Sequence, residues 1–503
     1  MKVAAIKPAL HTIHRPHPAK SNRYYTSFLL LFLCQFLLSF ELTAQIQNPG
    51  FYDTLAGQVR LDSSVKVYIS SIQVTGNKRT KKYIIQREMR LKTGDSILAS
   101  ELYDRLLKSR ELVYNTALFT AVSIEPVFAS AKEINLVVTV SEKWYIYPTP
   151  QFQLIDRNFN EWINTYHADL ERVSYGVKFA HYNLTGRRDQ LRVYLLNGYS
   201  RNISFTYNAP YSNRALTEGF SVSAGLTQNR EVIYNTSKTN KPLRYTNAGF
   251  ARSNFSIAGS YSMRKGFYLK RTLNVALLYF GVDDSITSKY NPSYFNTTRN
   301  RVILPEITYV YQYINTNNIK YPLKGKIYSF AFTKRGTGLR GGMNLLSADF
   351  KYNRYFTHRN EWYSTLHAHT KIKAPGHLAF MNQRALGYQD YFLRGLENYV
   401  IDGIHSFVAG YTLRKKILSF NIVVPFKNKL VSSIPFAIYA KTYADAGYSF
   451  SKQINDTRLG NRLLRTGGFG IDILSLYDTN VQLEYSFNQL GEKGLFLHAK
   501  SGF

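Results

Sequence analysis

From Trp144 to Phe503 the chain holds no amphipathic helix of convincing length, and strand after strand repeats with a period of two. In VQLEYSFN, Val481, Leu483, Tyr485 and Phe487 share one face, while Gln482, Glu484, Ser486 and Asn488 share the other. The segments QLRVYLL, NISFTYN, KIYSFAFT, ADFKYNRYF and FAIYAKTYADAG repeat the split less cleanly, and Gly, Asn, Pro, Ser or charged clusters separate them. Successive side chains of a strand point to opposite faces, so each segment is apolar on one side and wet on the other. That is the surface a lipid-embedded β-barrel needs. At about ten residues per spanning strand plus a turn or loop, the roughly 360 residues allow about sixteen antiparallel strands. Composition agrees: 40 Tyr, 32 Phe and only 19% charged residues favour strands and argue against disorder.

The choice between a soluble β-protein and a membrane barrel turns on the N-terminus. Lys2, Lys7, Arg15, Lys20 and Arg23 lead into an apolar run from Phe28 to Phe40, too short to span a bilayer comfortably. Small residues follow in ELTAQ, so residues 1–44 read as a signal peptide cleaved after Ala44, with 45–66 as a linker. A lipoprotein reading through Cys34 is disfavoured by the bulk of Leu33. Cleavage removes the single cysteine, and with it any disulfide or thiolate site. It also removes five of 64 basic and one of 32 acidic residues, leaving 59 minus 31, or +28. An exported chain with this strand pattern and no further long apolar run is expected in an outer membrane.

Between Val67 and Lys143 the period changes several times. VYISSIQVTGN reads as a strand closed at Gly76-Asn77, and TKKYIIQREMRL as an amphipathic helix ended by Lys92-Thr93-Gly94-Asp95. ILASELYDRLLKSRELVYNT sets Leu98, Leu102, Leu106 and Val113 on one helical stripe, and LFTAVSIEPVF and INLVVTVSEKW supply strands to cover it. The order strand, helix, helix, strand, strand is a compact α+β layer. VTGN, LKTGD, NTALFTAVSIEP and VVTVSEKW together resemble the polypeptide-transport-associated (POTRA) domain, over residues 67–143. The resemblance implies a periplasmic domain that binds client strands by adding them to a sheet edge. Residues 45–66 are too few for a second copy. The fold expected is therefore an α+β POTRA domain followed by a transmembrane antiparallel β-barrel at 144–503.

The chain ends in GLFLHAKSGF, where Leu495, Leu497, Ala499 and Phe503 share one face and Phe496, His498 and Lys500 the other. A terminal aromatic on the lipid face resembles the recognition signal of outer-membrane barrels. GYQDYFLRGLENYVIDG carries Leu393-Arg394-Gly395-Leu396 and resembles the Val/Ile-Arg-Gly-Phe/Tyr element in the sixth extracellular loop of BamA-like barrels. That resemblance implies a loop folded into the lumen, its arginine latched to an inward acid. Asp445 in YADAGYSF matches the family's Asp-x-Gly motif with Gly447. Parity agrees, because Phe436, Ile438 and Ala440 share the apolar face and leave Lys441, Tyr443, Asp445 and Gly447 inward. Two departures stand out: Leu393 and Leu396 flank the arginine, and the family's second acid falls near Thr412.

The BamA-like resemblance implies an outer-membrane assembly or polypeptide translocation factor rather than an enzyme. Its partners would be unfolded outer-membrane or secreted polypeptides, periplasmic or lipoprotein accessory subunits, and outer-membrane lipid and lipopolysaccharide. The seam would lie between a first strand around Tyr145 to Leu154 and the last at Leu495 to Phe503. The alternatives are a dedicated two-partner-type secretion pore and a passive pore or structural surface protein. Gly336-Thr337-Gly338-Leu339-Arg340-Gly341 matches a dinucleotide fingerprint by letters but joins two strands without a helix, so it reads as a hairpin loop. His11, His14 and His17 lie in the removed segment, and His367 and His369 share a strand face with no close acid in sequence. No Gly-x-Ser-x-Gly elbow is present and no serine is recognisably paired with His and Asp, so no catalytic residue is expected, and with no third histidine or close acid beside His367 and His369 no metal or cofactor is expected either. The basic residues are scattered among loops, which suits an anionic lipid surface better than nucleic acid.

Overall fold

The computed structural model describes residues 64–503 apart from 131, 155–161, 164–165, 339–341, 389–390, 424–432, 453–456, 476–478 and 501–503. The leader at 1–44, most of the linker, and Phe503 lie outside the described residues.

The first layer runs β1 (Lys66–Thr75), α1 (Lys82–Glu88), β2 (Ser96–Leu98), α2 (Ala99–Tyr114), β3 (Phe119–Ser130) and β4 (Glu133–Glu142). Its sheet order is β2-β1-β4-β3, with β1 parallel to β4 and the other pairs antiparallel. The two helices cover one face of this sheet, and Ile84, Ile85, Leu102, Leu106 and Val113 join Val67, Ile69, Ile134, Leu136 and Val138 in its core. Two details differ from the sequence reading. The first helix is confined to Lys82–Glu88, and the second begins at Ala99 because Ser96–Leu98 pairs with Lys66–Tyr68 as a strand. Leu98 is consequently exposed instead of extending the stripe.

The rest of the chain forms a sixteen-stranded antiparallel sheet. Its strands are β5 (Ile146–Leu154), β6 (Val173–Tyr182), β7 (Gln190–Gly198), β8 (Ser200–Ala209) and β9 (Glu218–Asn229), then, after a loop hairpin of β10 (Glu231–Thr236) and β11 (Pro242–Thr246), β12 (Arg252–Met263). They continue as β13 (Leu269–Val282), β14 (Arg301–Thr316), β15 (Gly325–Arg335), β16 (Leu345–Thr357) and β17 (Trp362–Ala374). After a long loop holding β18 (Arg384–Leu386) and β19 (Ile401–Asp402) come β20 (His405–Val423), β21 (Ser433–Phe450), β22 (Leu463–Leu474), β23 (Asn480–Asn488) and β24 (Lys493–Lys500). Each strand pairs with its neighbour in the chain, the loop hairpins aside. The described helical segments of this half are short, such as Ile286–Tyr290 and Phe380–Asn382.

The period of two sorts the side chains by solvent. Leu273, Val275 and Leu277 on β13, Phe330 and Phe332 on β15, and Leu483 and Phe487 on β23 all face outward and exposed. Glu484 and Ser486, between the last two, are buried inward. An apolar exterior around a polar interior inverts a soluble protein and fits lipid outside. The sheet curls far enough for Tyr321, in the β14–β15 turn, to bond Asp472 on β22 at 2.8 Å.

Candidate functional site: the inner loop, the domain dock and the seam

The loop between β17 and β20 brings Arg394 against inward-facing positions of β20 and β21. Its Nε donates to Asp445 Oδ2 at 2.7 Å and its Nη2 to Asp445 Oδ1 at 2.6 Å, a two-bond fork on one carboxylate. Nη2 also donates to Thr412 Oγ1 at 3.1 Å, so a hydroxyl completes the polar surround of the guanidinium. The guanidinium lies 3.8 Å from the centre of the Tyr443 ring. Tyr443 in turn shares a 2.5 Å hydrogen bond with Ser486 on β23.

Glycines make room for this contact. Gly395 has φ +84°, in the left-handed region, and a Cβ there would sit 2.9 Å from Ser486 Cβ. A Cβ on Gly447 would meet Leu393 Cδ1 at 2.6 Å. Gly410, directly opposite Asp445 in the β20–β21 register, leaves the space that the Asp445 carboxylate fills. Asn488 holds the Gly395 carbonyl at 2.8 Å. Leu393 and Leu396, which depart from the family pattern, are buried with Leu386, Tyr399, Ile401, Val408, Leu459 and Leu464. They anchor the loop by apolar packing on both sides of the arginine.

Sequence reasoning named Arg394, Gly395, Asp445 and Gly447, and the fold gathers them in one place. It missed Gly410 and Tyr443 as partners, and it missed a row of buried charge beside them. Lys441 Nζ lies 2.5 Å from Asp472 Oδ1 and 2.6 Å from Glu484 Oε1, and Arg414 Nε donates to Asp472 Oδ2 at 3.3 Å. Inward parity on β21, β22 and β23 is the signal that points to these residues. His369 has a close acid after all, Asp349 on the neighbouring strand at 3.0 Å, and His367 lies 3.7 Å from Asp445. Among the terminal residues, Leu495 and Leu497 face outward and exposed.

A second contact set fixes the α+β domain to the barrel turns on its side. Glu88, 1% exposed, receives Arg264 Nη1 at 2.6 Å and Nη2 at 2.7 Å from the β12–β13 turn, and the Tyr211 hydroxyl from the β8–β9 turn. Burial raises the Glu88 carboxyl, but the charge and hydrogen bonds of Arg264 outweigh it and hold the group below the usual carboxylate range. Arg87 donates to the carbonyls of Leu216, Arg264 and Gly266. Asn115 donates to the Thr316 carbonyl at 2.8 Å and accepts from Ile319 N at 2.9 Å. Tyr145 and Tyr211 lie in the same core as the domain's own residues.

The two ends of the sheet order are β5 and β24. Tyr182 N donates to Tyr145 O at 2.8 Å, and the register then runs Ile146↔His181 to Leu154↔Val173. Directly opposed residues alternate between pairs that exchange hydrogen bonds and pairs that do not. Tyr147, Thr149 and Gln151 therefore turn their backbone groups to β6, and Ile146, Pro148, Pro150, Phe152 and Leu154 turn theirs outward, toward the end of the sheet. Two of those five outward positions are prolines, which carry no N–H.

A POTRA-type domain joined to a sixteen-stranded barrel defines a class of outer-membrane proteins, and the comparisons with known proteins agree. The family model described as "POTRA: Surface antigen variable number repeat" matches residues 67–143. The outer membrane protein assembly factor BamA of Neorickettsia risticii (strain Illinois) is 25% identical over 309 residues, covering 60% of this chain and 37% of that protein. The chain thus matches little more than a third of that relative's length. Among solved structures, BamA from Haemophilus ducreyi lacking POTRA domains 1–3 aligns over 86% of this chain and 83% of its own at 13% identity, with a TM-score of 0.48. CdiB from Acinetobacter baumannii aligns over 86% and 73% at 12% identity, with a TM-score of 0.44. The chain thus carries a POTRA domain and is similar to BamA-type outer-membrane proteins; it is an outer-membrane protein whose POTRA domain lies in the periplasm.

Proposed function

We propose that this protein assembles polypeptides into the outer membrane, its POTRA domain recruiting client strands and its barrel seam receiving them. The observation that carries the reading is the outward edge of β5. With Pro148 and Pro150 on it, the first strand offers β24 two fewer donors than an ordinary strand would. A backbone group left unsatisfied in lipid costs several kcal/mol, so a donor-poor seam is the place where an incoming strand gains most by pairing. The POTRA edge strand β3, twelve residues long and paired on one side with β4, supplies the earlier docking edge. No cofactor enters this mechanism, since the drive is client folding and burial. Residues 1–44 act as the export signal, the apolar exterior meets outer-membrane lipid, and the basic loops meet lipopolysaccharide. Accessory subunits would join at the periplasmic face.

Arg394 and Asp445 serve as the latch that holds the inner loop in the lumen, with Gly395 and Gly447 giving it clearance. Leu495 and Leu497 form the lipid-facing part of a terminal signal at the seam; Phe503 and the side chain of Ala499, which the sequence adds to that signal, lie outside what the structure describes. A second reading, export through the lumen, requires this packed loop to leave its place, and the apolar anchoring of Leu393 and Leu396 argues for the seam. Depletion of the protein followed by quantitative proteomics of the outer membrane and of the secreted fraction tests the proposal. Loss of many different barrels is the expected result. Loss of one secreted polypeptide alone supports lumen export, and unchanged profiles in both fractions leave a passive pore or structural role.

A further inference from the structure

Three side chains from three separate elements converge at the inner wall beside the latch. Glu397 comes from the β17–β20 loop, Glu484 from β23 and His498 from the last strand, and their ligand atoms all lie within 4.8 Å of one another. We propose that Glu397, Glu484 and His498 form a zinc-type transition-metal site that ties the inner loop to the two final strands.

The spacing suits such an ion. His498 Nε2 lies 3.1 Å from Glu397 Oε1 and 3.5 Å from Glu484 Oε2. Tetrahedral ligands at about 2.0–2.1 Å from zinc stand roughly 3.3 Å apart, between these two values. Glu484 is 2% exposed, and its Oε2, aimed at this point, meets only His498 Nε2 at 3.5 Å and forms no well-aligned hydrogen bond among the described residues. Its other oxygen meets Lys441, which Asp472 shares, so one ammonium is divided between two buried carboxylates. A carboxylate oxygen this buried and this loosely partnered is costly, and a metal cation seated among the three ligands would lower the cost. The Phe392 ring stacks on the imidazole at 5.9 Å between centroids and 22° between planes, which holds the ring in place. Glu397 and His498 also line a lumen chamber of about 1140 Å³, giving an ion an entry path and leaving a fourth position for water.

One imidazole with two carboxylates selects zinc and its neighbours in the transition series over magnesium and calcium, which prefer all-oxygen shells. Bound there, the ion would crosslink the loop to β23 and β24 and oppose separation of the last strand. That consequence rests on the proposed seam, while the binding does not.

The test titrates zinc, with magnesium as control, into the purified full chain in detergent by calorimetry, alongside His498→Gln and Glu397→Gln. Heat-modifiable migration on gels verifies that each variant is a folded barrel. One zinc per chain is expected, with affinity reduced at least about tenfold in each variant, since even groups beyond the ligand shell are worth that much. Absence of saturable zinc binding, wild-type affinity in both variants, or magnesium binding as tight as zinc overturns the site and leaves an imidazolium bridging two carboxylates. Zinc that binds but fails to raise the temperature of the heat-modifiable shift retains the site and removes its effect on the seam.

Discussion

Arg394 is held by a fork on Asp445, a hydroxyl on Thr412 and the face of Tyr443, all on positions the barrel turns inward. Removing one partner from a pair this buried leaves an uncompensated charge and costs about 3 kcal/mol or more. Arg394→Ala and Asp445→Ala are each expected to lower the temperature of the heat-modifiable shift and to impair client assembly while leaving an inserted barrel. Arg394→Lys should recover part of the loss, because an ammonium keeps the charge but not the planar fork. A wild-type transition and wild-type client levels in both alanine variants would remove the latch. Gly447→Ala probes the same contact from the other side: its added methyl meets Leu393 and should cost about 1–3 kcal/mol through displacement of the loop. These residues were readable because a short motif and strand parity both pointed to them. Gly410 was not, since nothing local says that a glycine on β20 stands opposite a carboxylate on β21.

Strand β5 illustrates how an element's role depends on what lies beside it. Pro148 and Pro150 are visible in the sequence, yet only the register with β6 tells which edge they occupy. Facing β6 they would have broken the ladder; facing outward they leave the end of the sheet with two fewer donors for the proposed seam. Replacing both with valine restores two donors and is expected to raise the temperature at which the purified barrel loses its heat-modifiable form, and to slow client assembly. A transition that falls or stays fixed would show that these positions do not limit the seam. In the POTRA domain, the short strand Ser96–Leu98 hid inside a helical pattern because Ile97 and Leu98 continue the apolar stripe. Its partner is β1, some thirty residues earlier, and pairing at that distance leaves no local periodicity.

At the scale of the molecule, the POTRA domain and the barrel turns share one core and one buried acid. Glu88→Ala would leave Arg264 without its carboxylate and is expected to loosen the domain, read as a broadened distance distribution between spin labels on the domain and on a periplasmic turn. The Glu88 carboxyl is depressed when docked, so its contribution is complete above the ordinary glutamate value of about 4.3 and is lost as pH falls through the docked value. Acidification through that lowered value, below the ordinary glutamate range, should reproduce the broadening in the wild type and change little in the alanine variant. Deletion of residues 67–143 is expected to abolish client binding while leaving a heat-modifiable barrel, and retained binding would move recognition into the barrel.

The sequence by itself determined the class of fold, because it follows from short-range periodicity: a period of two repeated across some 360 residues admits a sheet with one lipid face. It also marked the arginine and acid of the inner loop through local motifs. Only the tertiary structure decided that Thr412 and Tyr443 complete that contact, that Glu88 docks one domain on the other, that the prolines of β5 lie on its outward edge, and that Glu397, Glu484 and His498 meet. Each of these joins residues far apart in the chain, or depends on which edge of a strand is paired, and no local pattern carries that information.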